Sequence, residues 1–468
     1  MLMFLRTSLV VLAVAAMTCV SAYAADRHFG SGTGTLDWSV GANWANGLTP
    51  DEQGGGGDHG VLGDATADRT VTVSDVTGGP NGPDARLKWK QTTPGVVNKI
   101  QLLSDWEPSG CCGSETITND TGDPNAMVMD LNGFEWRTSG GGTLSLPAMT
   151  IQGPGVWKQN RKLNFGDGTT VGAGVTIHNY YGGANWSGTA PAWDPTSTLQ
   201  VGTPAHTIFS GTAPIAVGNL HILSTGNASF ASNGNAVVQG DVTIDPGGTL
   251  TVGATTKQFA VLGNFTDTNT TGNYSSGRLH FSGGGNVQQI DIRRPIDSAI
   301  RMDPGTVRAD LQLATAGIQL LHDLDASAST NVNPHESQLK RSVDLNGHDA
   351  SFNRLVMVGP SITWGVSGAE QSVINIGADG AHFINSIDVT IKNLGGWAGG
   401  DLTLFNVDPA ATVQGGFSLG TLTLPGSWTS DGIAIEGKNV VLKNVGVPEP
   451  TSLMLLAVGL LGAWIRRR

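Results

Sequence analysis

Few residues of this 468-residue chain are placed to do chemistry. Asp291, Arg293, Arg294, Arg301 and Asp303 lie close together and hold the residue types of a polysaccharide lyase, which joins aspartate-bound calcium to an arginine or lysine base. Nearness along the chain fixes no site geometry, and a solvated charge cluster accounts for these residues more simply. Glycoside hydrolysis needs two carboxylates flanking one bond, yet the chain contains no Asp-Asp pair. The ten histidines are scattered without an HExxH pairing, and no CxxC pair offers thiolates. No catalytic residue, metal ligand or cofactor is therefore assigned. The glycine-rich run Gly54 to Gly60 carries Asp58 but does not repeat as a calcium-binding nonapeptide does, and reads as a flexible loop. The most suggestive stretch is HNYYGGANWSGTAPAWDP, His178 to Pro195. Its Tyr180, Tyr181, Trp186 and Trp193 are the candidate glycan-binding residues, because aromatic faces in a loop can stack on sugar rings. The competing outcome is that they pack down on the protein, the commoner fate of large aromatics.

Charge narrows the partners. Without Arg6 near the start and without Glu449 and the three terminal arginines, 22 basic residues face 37 acidic ones, a net charge of −15. Such a surface repels nucleic acid and anionic membrane, so no nucleic-acid partner is expected. Glycine, at 67 of 468 residues, is about double its usual ~7% share. Aspartate far outnumbers glutamate, which suits turns rather than helices. Cys111 and Cys112 are adjacent and form no disulfide framework.

The elements that would position any site are short alternating strands. Gly218-Asn219-Leu220, Gly240-Asp241-Val242, Gly263-Asn264-Phe265 and Gly285-Asn286-Val287 repeat a Gly-Asn/Asp-apolar pattern about every 22 residues, in the range of solenoid repeats. Within one unit, Val242-Thr243-Ile244 alternates, Asp245-Pro246-Gly247-Gly248 turns, and Leu250-Thr251-Val252 alternates again. Similar trios occur at Val175 to Ile177, Leu199 to Val201, Leu311 to Leu313, Ile374 to Ile376, Leu402 to Leu404 and Leu422 to Leu424, and Asp-Leu-Asn-Gly occurs at both Asp130 and Asp344. The expected fold is all-β: an elongated parallel β-helix or β-solenoid, with an N-terminal signal peptide and a short C-terminal transmembrane helix.

Both ends carry export signals. Arg6, the apolar run Leu9 to Val20 and Ala22-Tyr23-Ala24 form a secretory signal peptide cleaved by signal peptidase between Ala24 and Ala25. Leu453 to Ile465 is apolar but covers only about 20 Å as a helix, against a hydrocarbon core of ~30 Å. Arg466, Arg467 and Arg468 would hold its end on the cytoplasmic side. Pro448 and Pro450 keep the preceding segment extended. The division is thus 1–24 signal peptide, 25–446 ectodomain and 447–468 tail.

Pro448-Glu449-Pro450, then an apolar segment, then a basic end resembles the PEP-CTERM sorting signal. The resemblance implies recognition by an exosortase, a membrane transpeptidase-like enzyme of Gram-negative bacteria that make exopolysaccharide, and explains the short helix as a temporary tether. WSVGANWANGLTP, through Trp38, Asn43-Trp44, Gly47 and Pro50, resembles the opening of secreted bacterial proteins with autotransporter-associated β-strand repeats, where the two tryptophans would cap the first coil. No translocator barrel follows it, so autotransport is not implied. Pectin-degrading enzymes on parallel β-helices carry Asn-Thr-Asp, Gly-Asp-Asp, Gly-His-Gly and Arg-Ile-Lys motifs, all absent here. The expectation is a non-enzymatic, exosortase-sorted protein of the cell surface or extracellular matrix, structural or adhesive and associated with exopolysaccharide. The alternative is a β-helix polysaccharide lyase or glycoside hydrolase.

Overall fold

The computed structural model describes residues 26–448 except 31, 46–58, 75–85, 108–115, 139–142, 160, 181–184, 189–190, 203–205, 210–214, 231–234, 253–257, 273–277, 283–286, 297–298, 303–316, 329–336 and 369. The signal peptide with its Ala24 and Ala25 junction, Cys111, Cys112, the Leu311 to Leu313 trio, and the tail from Glu449 lie outside the described residues. Among the described residues, strand is nearly the only element. The exceptions are two single-turn 3-10 helices, Gly41–Asn43 and Pro124–Ala126. Threonine and branched apolar residues fill the strands, while Gly, Asn and Asp supply the turns.

The chain divides into two compact units, residues 1–200 and 201–468. In the first, Gly34–Asp37, Arg69–Val73, Asn98–Leu102, Met127–Asp130, Thr150–Gln152, Thr170–Val171 and Ala192–Trp193 form one parallel sheet in chain order. Between visits to it the chain lays down other parallel sheets, such as Glu135–Thr138, Gly155–Gln159 and Val175–Asn179. The second unit follows the same rotation. Ile215–Val217, Asn219–Ile222 and Asn227–Phe230 each pair in parallel with a strand one circuit later, Asn235–Val238, Val242–Ile244 and Thr249–Val252 respectively. It closes differently: Gly400–Val407 and Gly432–Glu436 both pair antiparallel with Asn439–Val445.

Alternation sets which side chains are inside. Leu220, Val242 and Phe265 stack in register, as do Ile222 and Ile244, and all are buried; Leu250 and Val252 are buried on their own sheet, with Thr243 and Thr251 turned outward. A slip of one residue would exchange the two faces. The Gly-Asn/Asp-apolar signature has its own role. The side chain of Asn219 accepts from the Asp241 backbone N–H at 2.8 Å, Asp241 accepts from Asn264 at 2.7 Å, and Asn264 accepts from Gln289 at 2.9 Å. One Asn or Asp per circuit therefore satisfies a backbone donor of the next, a bond worth about 1 kcal/mol. The fourth expected unit is corrected: Ile290, not Val287, pairs with Phe265, and Val287 is 57% exposed. The added residues of that circuit shift the register past the sequence match. The Leu422 to Leu424 trio also departs from expectation, since both leucines are only half-buried near the end of the sheet path.

The two Asp-Leu-Asn-Gly turns are built alike. Asn132 and Gly133 have φ of 48° and 90°, Asn346 and Gly347 of 52° and 91°, so both turns need residues that tolerate left-handed backbone. In the first, Asp130 accepts from Gln101 at 3.2 Å and pairs with Lys99, and Asn132 donates to the Leu102 carbonyl at 3.0 Å. In the second, Gln319, Lys392 and the Leu320 carbonyl take those places. The leucine of each turn is buried.

Trp38 and Trp44 are each 3% exposed and meet edge to face at 4.8 Å, with Phe29 4.9 Å from Trp44 and Trp106 5.4 Å from Trp38. The Trp44 indole N–H donates to the Trp38 carbonyl at 2.9 Å. Gly60 lies under this cluster, where a Cβ would stand 2.5 Å from the Trp38 ring. This corrects the loop reading of Gly54 to Gly60: its last two residues open the strand His59–Leu62, and residues 54–58 lie outside the described ones.

Candidate functional site

The outward side chains of three adjacent strands make the most chemically varied surface described. Arg137, Lys158 and His178 occupy one ladder position on Glu135–Thr138, Gly155–Gln159 and Val175–Asn179. Behind them Trp136 and Trp157 stack at 5.0 Å with 17° between planes and Ile177 continues the column, all fully buried. Packing of that kind holds the outer residues on a rigid base. Trp106 bridges to Trp136 in parallel, which brings Glu107 beside Arg137 from one circuit earlier.

Arg137 ties the carboxylates together. Its Nε and Nη2 donate to Glu135 Oε1 at 2.9 and 2.5 Å, and its Nη1 donates to Glu107 Oε2 at 3.0 Å. Desolvation works to lower the guanidinium pKa, but the bonds and charges of Glu135 and Glu107 outweigh it and hold it above its ordinary value. Lys158 Nζ lies 5.2 Å from the centre of the half-buried Tyr180 ring, a cation–π contact of about 0.5–2 kcal/mol. The His178 ring meets Tyr180 edge-on at 5.9 Å. Burial pushes the Tyr180 hydroxyl above its usual pKa and the charge of Glu107 adds to this, while Arg137 opposes. The phenol therefore stays a neutral donor and acceptor at physiological pH.

Of the four aromatic residues singled out in the sequence, Tyr180 is half-buried within this cluster. Trp193 is 5% exposed on the strand Ala192–Trp193, so it packs inward and presents no face to a ligand. Trp186 belongs to the strand Asn185–Gly188, while its side chain and all of Tyr181 lie outside the described residues. Sequence reasoning passed over Glu107, Glu135, Arg137 and Lys158, because the signal that joins them is a ladder position shared across circuits.

The arginine-rich candidate comes apart. Arg293 is solvated and pairs with Asp291 at 3.0 Å. Arg294 corrects the reading of a wholly solvated cluster: it turns inward and pairs with the buried Asp267 at 2.7 Å. Asp303 and the Arg301 side chain lie outside the described residues. Among the described residues no group of three or more His, Cys, Asp or Glu is arranged to hold a metal ion, and no helix is long and apolar enough to cross a membrane.

At the C-terminus, Thr429 and Gly446 bridge antiparallel, and Pro448, the last residue described, is exposed. Glu449, Pro450 and the Leu453 to Ile465 run lie beyond it. No curated protein and no solved structure matches the chain. Residues 446–468 match the family described as the PEP-CTERM protein-sorting motif, which marks an exported protein sorted to the cell surface by an exosortase-type enzyme.

Proposed function

We propose that this chain is a non-enzymatic surface or matrix protein: a parallel β-solenoid released by signal peptidase at one end, held briefly in the membrane at the other, and freed by an exosortase-type enzyme into a structural or adhesive role with exopolysaccharide. The observation that carries the sorting half is the motif at residues 446–468, with Pro448 exposed just past the Thr429 to Gly446 bridge, where an enzyme can reach it. The solenoid half is supported by the rotation of the chain through parallel sheets and by the Asn and Asp ladder that joins successive circuits. A stack of that kind displays long faces of outward side chains, which suits adhesion to an extended polymer.

The second reading, a lyase or hydrolase on the same scaffold, draws on the carboxylates and bases gathered around Tyr180. Both carboxylates there are engaged by Arg137, which serves a binding surface better than an acid and base pair. Intact-mass measurement of the mature protein from an exosortase-containing host tests the sorting proposal. The expected mass lacks Leu453 to Arg468, and recovery of the complete tail refutes it.

A further inference from the structure

We infer that the outer face formed by Glu107, Glu135, Arg137, Lys158, His178 and Tyr180 is a binding site for a neutral, hydroxyl-rich polysaccharide. The inference deepens the reading of the chain as an exported matrix protein and rests on it.

Charge selects the ligand class. Glu107 and Glu135 balance Arg137 and Lys158, so the face carries no net positive charge in a chain whose formal charge is −12. An acidic polymer would be repelled by the net negative charge of the chain with no local excess of positive charge on this face to offset it, whereas a neutral polyol meets no such barrier. The same groups suit hydroxyls. Glu107 Oε2 accepts one bond from Arg137 and keeps lone-pair capacity for a sugar O–H, whereas Glu135 Oε1 accepts two and is filled; the Lys158 ammonium supplies donors, and the Tyr180 hydroxyl both donates and accepts. Tyr180 is half-buried, and the part of its ring left accessible offers carbon surface to sugar C–H groups beside those polar atoms.

Geometry selects a chain over a single sugar. Arg137, Lys158 and His178 repeat along the stack at the strand spacing, ~4.8 Å, which is close to the advance of an extended polysaccharide per sugar. Successive sugars can thus meet successive outward side chains on a rigid sheet. The equivalent outward column of the second unit is plainer: His221, Thr243 and Thr266 stand in register there, without an arginine, a lysine or a tyrosine among them.

Affinity electrophoresis of the mature secreted protein tests the inference. The gels contain dextran, polygalacturonate, or the neutral or acidic fraction of the host's extracellular polysaccharide. The neutral host fraction is expected to retard the wild type equally at low and high salt, since screening acts on charges and not on hydroxyl contacts. Glu107→Gln and Lys158→Ala, each folded by circular dichroism, are expected to lose about tenfold in affinity, and Thr243→Ala none. Glu107 is exposed, so its variant removes an acceptor without opening the core. Equal retardation of variants and wild type overturns the site, and retardation by acidic polymers alone, lost in salt, overturns the ligand class. A protein that is trimmed and surface-located yet binds no neutral glycan overturns this inference alone, while an untrimmed tail overturns the sorting proposal alone.

Discussion

Asp267 interrupts an apolar column of the second unit. In register with it are Ile244 on one side and Ile292 on the other, and its side chain is 0% exposed. Arg294, 5% exposed, places Nη2 2.7 Å from its Oδ2, while Asn269 donates to its Oδ1 from the backbone at 3.0 Å and from the side-chain amide at 2.6 Å. Asp267→Asn keeps the size and removes the counter-charge, leaving a guanidinium in the core; breaking a buried pair in this way costs ~3–5 kcal/mol. The double change Asp267→Ile with Arg294→Met removes both charges and extends the isoleucine column. Such replacements range from neutral to ~1–4 kcal/mol more stable than the ion pair. Urea unfolding followed by circular dichroism gives the size of the effect: at a slope of ~2 kcal/mol/M, a loss of ~4 kcal/mol lowers the midpoint by ~2 M. Short strands in a large parallel sheet also open locally, so hydrogen exchange at Phe265–Asp267 and Gln288–Ile292 should rise in the single variant and recover in the double one. A single variant with wild-type midpoint and exchange, or a double variant weaker than the single, would refute the reasoning.

Ile244→Asp, which buries a carboxylate beside Asp267, should lower the unfolding free energy by more than the ~1.5–3 kcal/mol lost with an isoleucine, whereas Thr243→Asp, on the outward face, should leave it within about 0.5 kcal/mol. Equal sensitivity at the two positions would contradict the register. Burial raises the Asp349 carboxyl above its usual range, outweighing the Val373 N–H that it accepts at 2.8 Å, while Asp323 adds to the rise and His348 opposes it. Folding then favours the protonated form, so this contribution to stability is present in acid and lost as pH rises through the native pKa. Asp349→Asn should flatten that part of the pH profile of the urea midpoint, and an unchanged profile would rule the effect out.

Part of this protein is legible in one dimension. Alternation at Val242 to Ile244 and Leu250 to Val252 is enough to assign their faces, because a strand turns every second side chain the same way. Asn-Gly at residues 132–133 and 346–347 announces a left-handed turn for the same kind of local reason. Trp38 and Trp44 are close enough in sequence to be read as a pair, and they do pack together. The tail is legible because its three parts occur in order within one short segment and are read there, without a fold.

What tertiary structure decided is which circuit meets which. Parallel pairing joins residues one circuit apart, and a few added residues move the partner, so Ile290 and not Val287 continues the column of Phe265. Arg293 and Arg294 are neighbours of the same type, yet one is solvated and the other buried, because Asp267 on the adjacent strand supplies an interior partner for only one of them. The face around Tyr180 draws Glu107, Arg137 and Lys158 from separate circuits, and no local pattern links them. Strand periodicity dictates which way a side chain points, whereas the packing of one circuit on the next dictates what it meets.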